Sequence, residues 1–227
     1  MRITCSHINF INTASINAIG HKSLLYHAMR IILASQSPRR RELLERMGVA
    51  EFDIIPAQGE EVMDPSLSPD RLVEELSRQK CAEVAAAHPD SLVIAADTVV
   101  SVGGQVLGKP HSREEAARML SALSGREHVV YTGVTLSSGG RTATEHEATS
   151  VRFRPLSQGD IDHYLATGEP MDKAGAYGIQ GYGSVLVEGI SGDYYNVVGL
   201  PVCRLGRMLA RFGVDALSIA AEKEQGT

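Results

Sequence analysis

The chain has no tryptophan, and its four phenylalanines and seven tyrosines bring the aromatic content to only 5%. So few rings leave little for stacking bases, which argues against a platform for single-stranded nucleic acid. Positive charge is also scarce. The formal net charge is −5, and no basic run is longer than Arg39–Arg41, whereas proteins that bind phosphate backbones carry the opposite balance. Cysteine is limited to Cys5, Cys81 and Cys203, odd in number, far apart and outside any metal spacing. They read as free thiols in a reducing compartment, and the expected location is the cytoplasm. None of the eight histidines falls in an H-E-x-x-H pattern, and no G-x-S-x-G occurs. A dedicated zinc site and a serine-hydrolase elbow therefore lack their defining spacing. No apolar run approaches the roughly 18 residues of a membrane span.

What is present is a chain of 227 residues, 43% hydrophobic and 22% charged. That is enough to bury a sizeable core. Met1–Ala28 contains no Asp or Glu and shows no sustained period. It is set aside as an N-terminal extension, disordered or the product of an upstream start. Met29 is then the functional start, and 29–227 form a single domain.

The organising stretch is Ile31-Ile-Leu-Ala-Ser-Gln-Ser-Pro-Arg-Arg-Arg-Glu-Leu-Leu44, an apolar strand that turns into a helix. Ser37 is a good N-cap, and Pro38 suits the first helical position, where its missing N–H is no loss. Three arginines then crowd a helix start that already carries about +0.5 charge and favours acids. Hydroxyls, open N–H groups and arginines at one helix start suit an anion, most naturally phosphate.

Helices are predicted over 39–47, from a Ser68 cap to about His88, from a Ser112 cap to Leu123, from a Ser157 cap to Gly168, and over 201–212. Strands are predicted over 52–56, 91–96, 99–102, 128–136, 142–154 and 185–188, with a glycine-rich loop over 171–183 and a frayed tail over 220–227. Early strand–helix alternation followed by an antiparallel hairpin implies α/β architecture with a mixed sheet.

Asp97 breaks an otherwise buried strand. An ionised carboxylate there is costly unless it is paired, hydrogen-bonded or metal-bound. Gly103-Gly-Gln-Val-Leu-Gly-Lys109 spells a phosphate loop until Pro110 replaces the required Ser or Thr, so a phosphate-loop ATPase is disfavoured. Lys109 can still reach a phosphate as a point charge. Asp172-Lys-Ala-Gly-Ala-Tyr-Gly-Ile-Gln-Gly181 sets Lys173, Tyr177 and Gln180 as donors and acceptors among glycines that let backbone approach a ligand. Gly192–Pro201 is a second stretch that could line the same cleft. Glu60, Glu61 and Asp97 could hold Mg²⁺ or Mn²⁺ through oxygen, the usual mode beside nucleotide phosphates.

Leu33-Ala-Ser-Gln-Ser-Pro-Arg-Arg40, Ala96-Asp-Thr-Val-Val100, Leu107-Gly-Lys-Pro110, Asp172–Gly181 and Val198-Gly-Leu-Pro201 follow one another. In that order, over roughly Met29 to Phe212, the chain resembles the Maf family of nucleotide pyrophosphatases. The resemblance implies an elongated mixed sheet flanked by helices, with two lobes around a central cleft, as in ITP-type pyrophosphatases, and often a homodimer. It implies hydrolysis of a nucleoside triphosphate to the monophosphate and pyrophosphate, with a divalent cation. It also implies Asp97 as proton acceptor and Arg39, Thr98 and Gln180 as positions linked to substrate choice. Ser35, Ser37, Arg40, Glu61, Lys80, Lys109 and Lys173 match or adjoin polar cleft positions, with Glu60 an alternative to Glu61. Glu61 and Asp97 are the implied metal ligands. The Asp172–Gly181 form resembles the dTTP/UTP subgroup, distinct from the one preferring 7-methylguanosine triphosphate. A Gln180 amide can accept from pyrimidine N3–H and donate to O4, the edge that thymine and uracil share. The competing readings are a purine or modified-nucleotide pyrophosphatase and a non-catalytic nucleotide-binding regulator of cell division. Net charge and the placement of Asp97 count against the latter.

Overall fold

The structure, a computed structural model, describes residues 29–49, 51–59 and 62–225. The expectation for Met1–Ala28 lies outside these residues. In chain order the elements are β1 (Ile31–Leu33), α1 (Pro38–Arg46), β2 (Asp53–Ile54), α2 (Pro69–Ala87), β3 (Leu92–Val102) and β4 (Gln105–Leu107). There follow α3 (Arg113–Leu123), β5 (Glu127–Ser138), β6 (Arg141–Phe153), α4 (Gln158–Ala166), β7 (Val187–Ser191), α5 (Tyr194–Val198), α6 (Val202–Arg211) and α7 (Ala216–Gln225). Among the described residues the strands form one seven-stranded sheet in the order β2-β1-β3-β5-β6-β7, with β4 added beside β3. β1 pairs in parallel with β2 and β3, and the other pairings are antiparallel. The sheet is mixed, as its strand and helix pattern implies. None of the described helices is long and apolar enough to cross a membrane.

β3 is the spine. Its side chains alternate between faces, as pleating requires. On one face, Val93 and Ala95 pack with Cys81 and Val84, and Val99 packs with Leu72, Val73 and Leu76, all from α2. On the other face the core divides in two. Ile94 and Ala96 join Leu43, Leu44, Leu205 and Met208 under α1 and α6. Val100 and Val102 join Leu120, Leu123, Phe153 and Ile161 under α3 and α4. Between them Thr98 pairs directly with Thr132 of β5. That hydroxyl pair (2.9 Å) interrupts the apolar face, and the molecule has two lobes on either side of it.

Several local details differ from the sequence pattern. Asp97 does not end a strand; β3 runs through it without a break. The 171–183 stretch winds into short 3-10 turns at Glu169–Asp172, Ala174–Ala176 and Tyr182–Leu186, which shifts β7 towards the C-terminus. Tyr194–Val198 is a helical turn, capped by the Asp193 carboxylate accepting from the Tyr195 N–H at 2.8 Å. The helix Ala216–Gln225 runs to residue 225, into the 220–227 stretch where a frayed tail is expected. Its Ala, Leu, Glu, Lys and Gln are strong helix formers, and Asp215 accepts from the N–H groups of Leu217 and Ser218.

Candidate active site

β3 has β5 along one flank, while its other flank is shared. β1 covers Leu92–Ile94 and β4 covers Val100–Val102, so no strand among the described residues pairs with 95–99 on that side. The chain leaving β1 turns away at Ser35–Ser37 into α1, which opens a crevice at the carboxyl end of a parallel strand. Open α/β sheets place ligands at such points. A cleft lies there, lined by Ser37, Arg39, Arg40, Lys80, Asp97, Thr98, Lys109, Asp172, Lys173, Tyr177 and Gln180, with Val197–Gly199. Ser35 lines an adjoining groove that also borders Ser37, Arg39, Arg40, Lys80 and Lys109. All the described candidate residues therefore meet in one place, drawn from α1, α2, β3, the loop after β4 and the 172–180 turns.

The three arginines of α1 have separate fates. Arg39 reaches across the cleft to Asp172, 3.0 Å away. Arg40 is half-buried and donates to the Gly199 carbonyl (2.8 Å), Thr98 Oγ1 (3.1 Å) and Ser35 Oγ (3.3 Å). Arg41 pairs with Glu45 one helical turn on and takes no part in the cleft. Ser37 caps the helix by accepting from the Arg40 N–H, as its position implies.

Asp97 is 9% exposed and its Oδ1 is paired with the Lys80 ammonium. That ion pair is what permits a carboxylate in the middle of a buried strand. Thr98 faces the opposite side. Thr132 donates its proton to the Asn196 carbonyl at 3.0 Å, so Thr98 must donate to Thr132 while accepting from Arg40. Its hydroxyl proton is thus committed inward. Tyr177 presents its ring to the cleft, but its hydroxyl is bonded to His128 Nε2 at 2.9 Å and is not a ligand donor, contrary to the sequence expectation. Burial pushes that phenol well above its ordinary range. Lys109 and Gln180 make no hydrogen bond to another described residue, and both are exposed.

The profile of the Maf-like protein family matches residues 30–212. The chain belongs to that family. Curated proteins named dTTP/UTP pyrophosphatase align with it closely. The one from Bacillus velezensis is 52% identical over 187 residues, covering 82% of this chain and 98% of its own. The one from Moorella thermoacetica is 53% identical over 188 residues, covering 82% and 96%. That from Symbiobacterium thermophilum is 52% identical over 184 residues, covering 81% and 94%. The solved structure of a HAM1 protein from Coxiella burnetii covers 81% of this chain and 99% of its own, at 17% identity and a TM-score of 0.47.

Two acidic residues, one lining this Maf-like cleft and one behind it, are given no role by the sequence. Asp172 bridges Arg39 and Lys173 (3.0 and 2.7 Å). Burial alone would raise its carboxyl, but hydrogen bonds from Lys173 and Arg39 hold it below the ordinary range. Glu169 accepts from Tyr164 and from two backbone amides behind the turns. The only early signal for either was an acid beside a glycine-rich stretch. For a metal, the described residues hold no cluster of three His, Cys, Asp or Glu. Among the described residues the cleft carboxylates are Asp97, paired with Lys80, and Asp172, bridged by Arg39 and Lys173; Asp97 fits Mg²⁺ or Mn²⁺ taking its remaining ligands from phosphate oxygens and water. Glu60 and Glu61 lie outside the described residues.

Proposed function

We propose that this Maf-like protein hydrolyses dTTP and UTP to the nucleoside monophosphate and pyrophosphate. The supporting observation is that one cleft joins a buried carboxylate, several cations and an amide with unused donor and acceptor. Arg39, Lys80, Lys109 and Lys173, with the N-terminus of α1, suit a polyphosphate; Gln180 suits the edge shared by thymine and uracil. The names of relatives about half identical to the chain supply the substrate pair.

In this mechanism Asp97 orients water for attack on the α-phosphorus and accepts its proton, while the Lys80 ion pair keeps the carboxylate aimed. The P–O bond to the β-phosphate breaks, and pyrophosphate leaves as its charge is met by Arg39, Lys109 and Lys173. Ser35, Ser37 and Arg40 shape the phosphate end, and Thr98 fixes Arg40. A divalent cation, held by Asp97 and Glu61 with substrate oxygens, would neutralise the phosphates. Action in the cytoplasm, possession of a single domain over 29–227 and assembly as a homodimer belong to the same proposal.

The test is a panel of dTTP, UTP, CTP, dATP, GTP and ITP with Mg²⁺ or Mn²⁺, reading pyrophosphate and monophosphate. Selective conversion of dTTP and UTP is expected, and a purine preference overturns the substrate assignment. Asp97→Asn is expected to lower kcat by at least ~100-fold with an unchanged circular dichroism spectrum. Near-native turnover in that folded variant removes Asp97 from the chemistry.

A further inference from the structure

Gln180 stands at the tip of a turn pinned on both sides by one pair of side chains. Two residues before it, the Gly178 N–H donates to Tyr164 Oη at 3.0 Å. Two and three residues after it, the N–H groups of Tyr182 and Gly183 donate to Glu169 Oε2 and Oε1, at 2.8 and 3.1 Å. The Tyr164 hydroxyl closes the set by donating to Glu169 Oε1 at 2.8 Å. The main-chain carbonyl of Glu169 also accepts from Lys173 Nζ at 2.8 Å. The packing leaves no slack: a Cβ at Gly181 would sit 2.1 Å from Glu169 Oε2, and one at Gly183 would sit 2.6 Å from Tyr164 Oη. Burial alone would raise the Glu169 carboxyl, but the Gly183 amide, the Tyr164 hydroxyl, the Tyr182 amide and nearby Lys173 hold it below its ordinary range. It is therefore ionised wherever the cleft would work.

Three donors converge on two oxygens, a task for a carboxylate. A glutamine in its place keeps the shape but turns an NH₂ towards a donor, and an unmatched donor is costly. We propose that Glu169, working with Tyr164, is the positioning residue that fixes the Gly178–Gly183 turn so that the Gln180 amide meets the base. The proposal rests on the pyrimidine reading of Gln180 given above.

A double-mutant cycle on the full chain tests it, with dTTP and Mg²⁺ and the variants Gln180→Ala, Glu169→Gln and their combination. A base contact made equally in the ground and transition states sets KM and leaves kcat alone. Gln180→Ala is expected to raise KM about tenfold or more with kcat little changed, the effect of losing its two hydrogen bonds to the base. Glu169→Gln is expected to raise KM several-fold, and the double variant to be no worse than Gln180→Ala. An unchanged KM in Glu169→Gln, or a double variant in which the two losses multiply, overturns the proposal and leaves the Gln180 reading intact. If Gln180→Ala matches wild type, the Gln180 reading falls and this proposal with it. Should Glu169→Gln fail to fold, Tyr164→Phe decides through the same cycle. A several-fold rise in KM that disappears beside Gln180→Ala supports the proposal; a wild-type KM or a multiplying loss rejects it.

Discussion

His128 backs the cleft without facing it. The ring is 2% exposed and lies edge-on to Phe153 and Tyr177, with centroids 5.0 and 5.4 Å away. Burial pushes its pKa down to about 4, against a smaller opposing effect of a backbone hydrogen bond at Arg126. The unfolded chain's histidine titrates near 6.5. Between those values the unfolded state binds a proton that the native state refuses. Stability from this site is therefore complete above about pH 6.5 and drains away as pH falls towards 4, by about 3 kcal/mol in all. Urea midpoints are expected to drop between pH 7.5 and 4.5, with a shallower slope in His128→Gln. Equal slopes in the two proteins would show that other groups carry the dependence. The same environment fixes the role of Tyr177: its hydroxyl serves His128, so only its ring is offered to a nucleotide. At Cys81 burial pushes the thiol up to about 12, which keeps it a protonated core side chain.

The placement of α2 depends on a missing side chain. Gly133 of β5 lies directly opposite Asp97, and a Cβ there would sit 2.2 Å from the Val73 carbonyl oxygen of α2. Gly133→Ala must lift the helix, and overpacking of this kind costs about 1–3 kcal/mol. Because α2 also carries Lys80, both Tm and dTTP turnover are expected to fall. Gly159→Ala on α4 meets only Ser157 Oγ at 3.7 Å and should leave both unchanged or raise Tm slightly. A Gly133→Ala protein with native Tm and turnover would refute the tight seating of α2. This element also marks how far the sequence could be read. The strand–Ser–Pro–helix start of α1, the Ser157 cap of α4 and the apolar run of 91–96 are local signals, and they appear in place. Asp97 stood out as a carboxylate in an apolar run, but its partner Lys80 lies 17 residues back on another element, where helical spacing alone makes it one polar residue among several. Asp172 meets Arg39 across 133 residues, and Glu169 meets the Gly183 amide 14 residues on. No local pattern records such distances. The short α5 is likewise imposed by what it packs against, since its Tyr, Asn and Val are weak helix formers.

At the scale of the molecule, the cleft is the seam between two cores that share their strands. β3 and β5 run through both, so neither lobe can lose its packing without exposing the other. Unfolding should therefore be one cooperative transition. Two contacts already cross the seam: the Arg39–Asp172 ion pair, and the chain of hydroxyls from Arg40 through Thr98 and Thr132 to the Asn196 carbonyl. A nucleoside triphosphate lying over them would touch α1 in one lobe and the Lys173–Gln180 turns in the other. It should then stabilise both at once. A non-hydrolysable α,β-imido analogue of dTTP with Mg²⁺, present at 100 times its Kd, adds about 2.7 kcal/mol if it binds only the native state. For a chain of this length that corresponds to a Tm rise of about 5–10 °C. The expected record is a single melting transition, followed by far-ultraviolet and near-ultraviolet circular dichroism, that moves upwards intact. Two transitions of which only one moves would mean that the lobes fold separately and the nucleotide contacts one of them. No movement at any concentration would mean that the cleft, however well charged, does not hold a triphosphate.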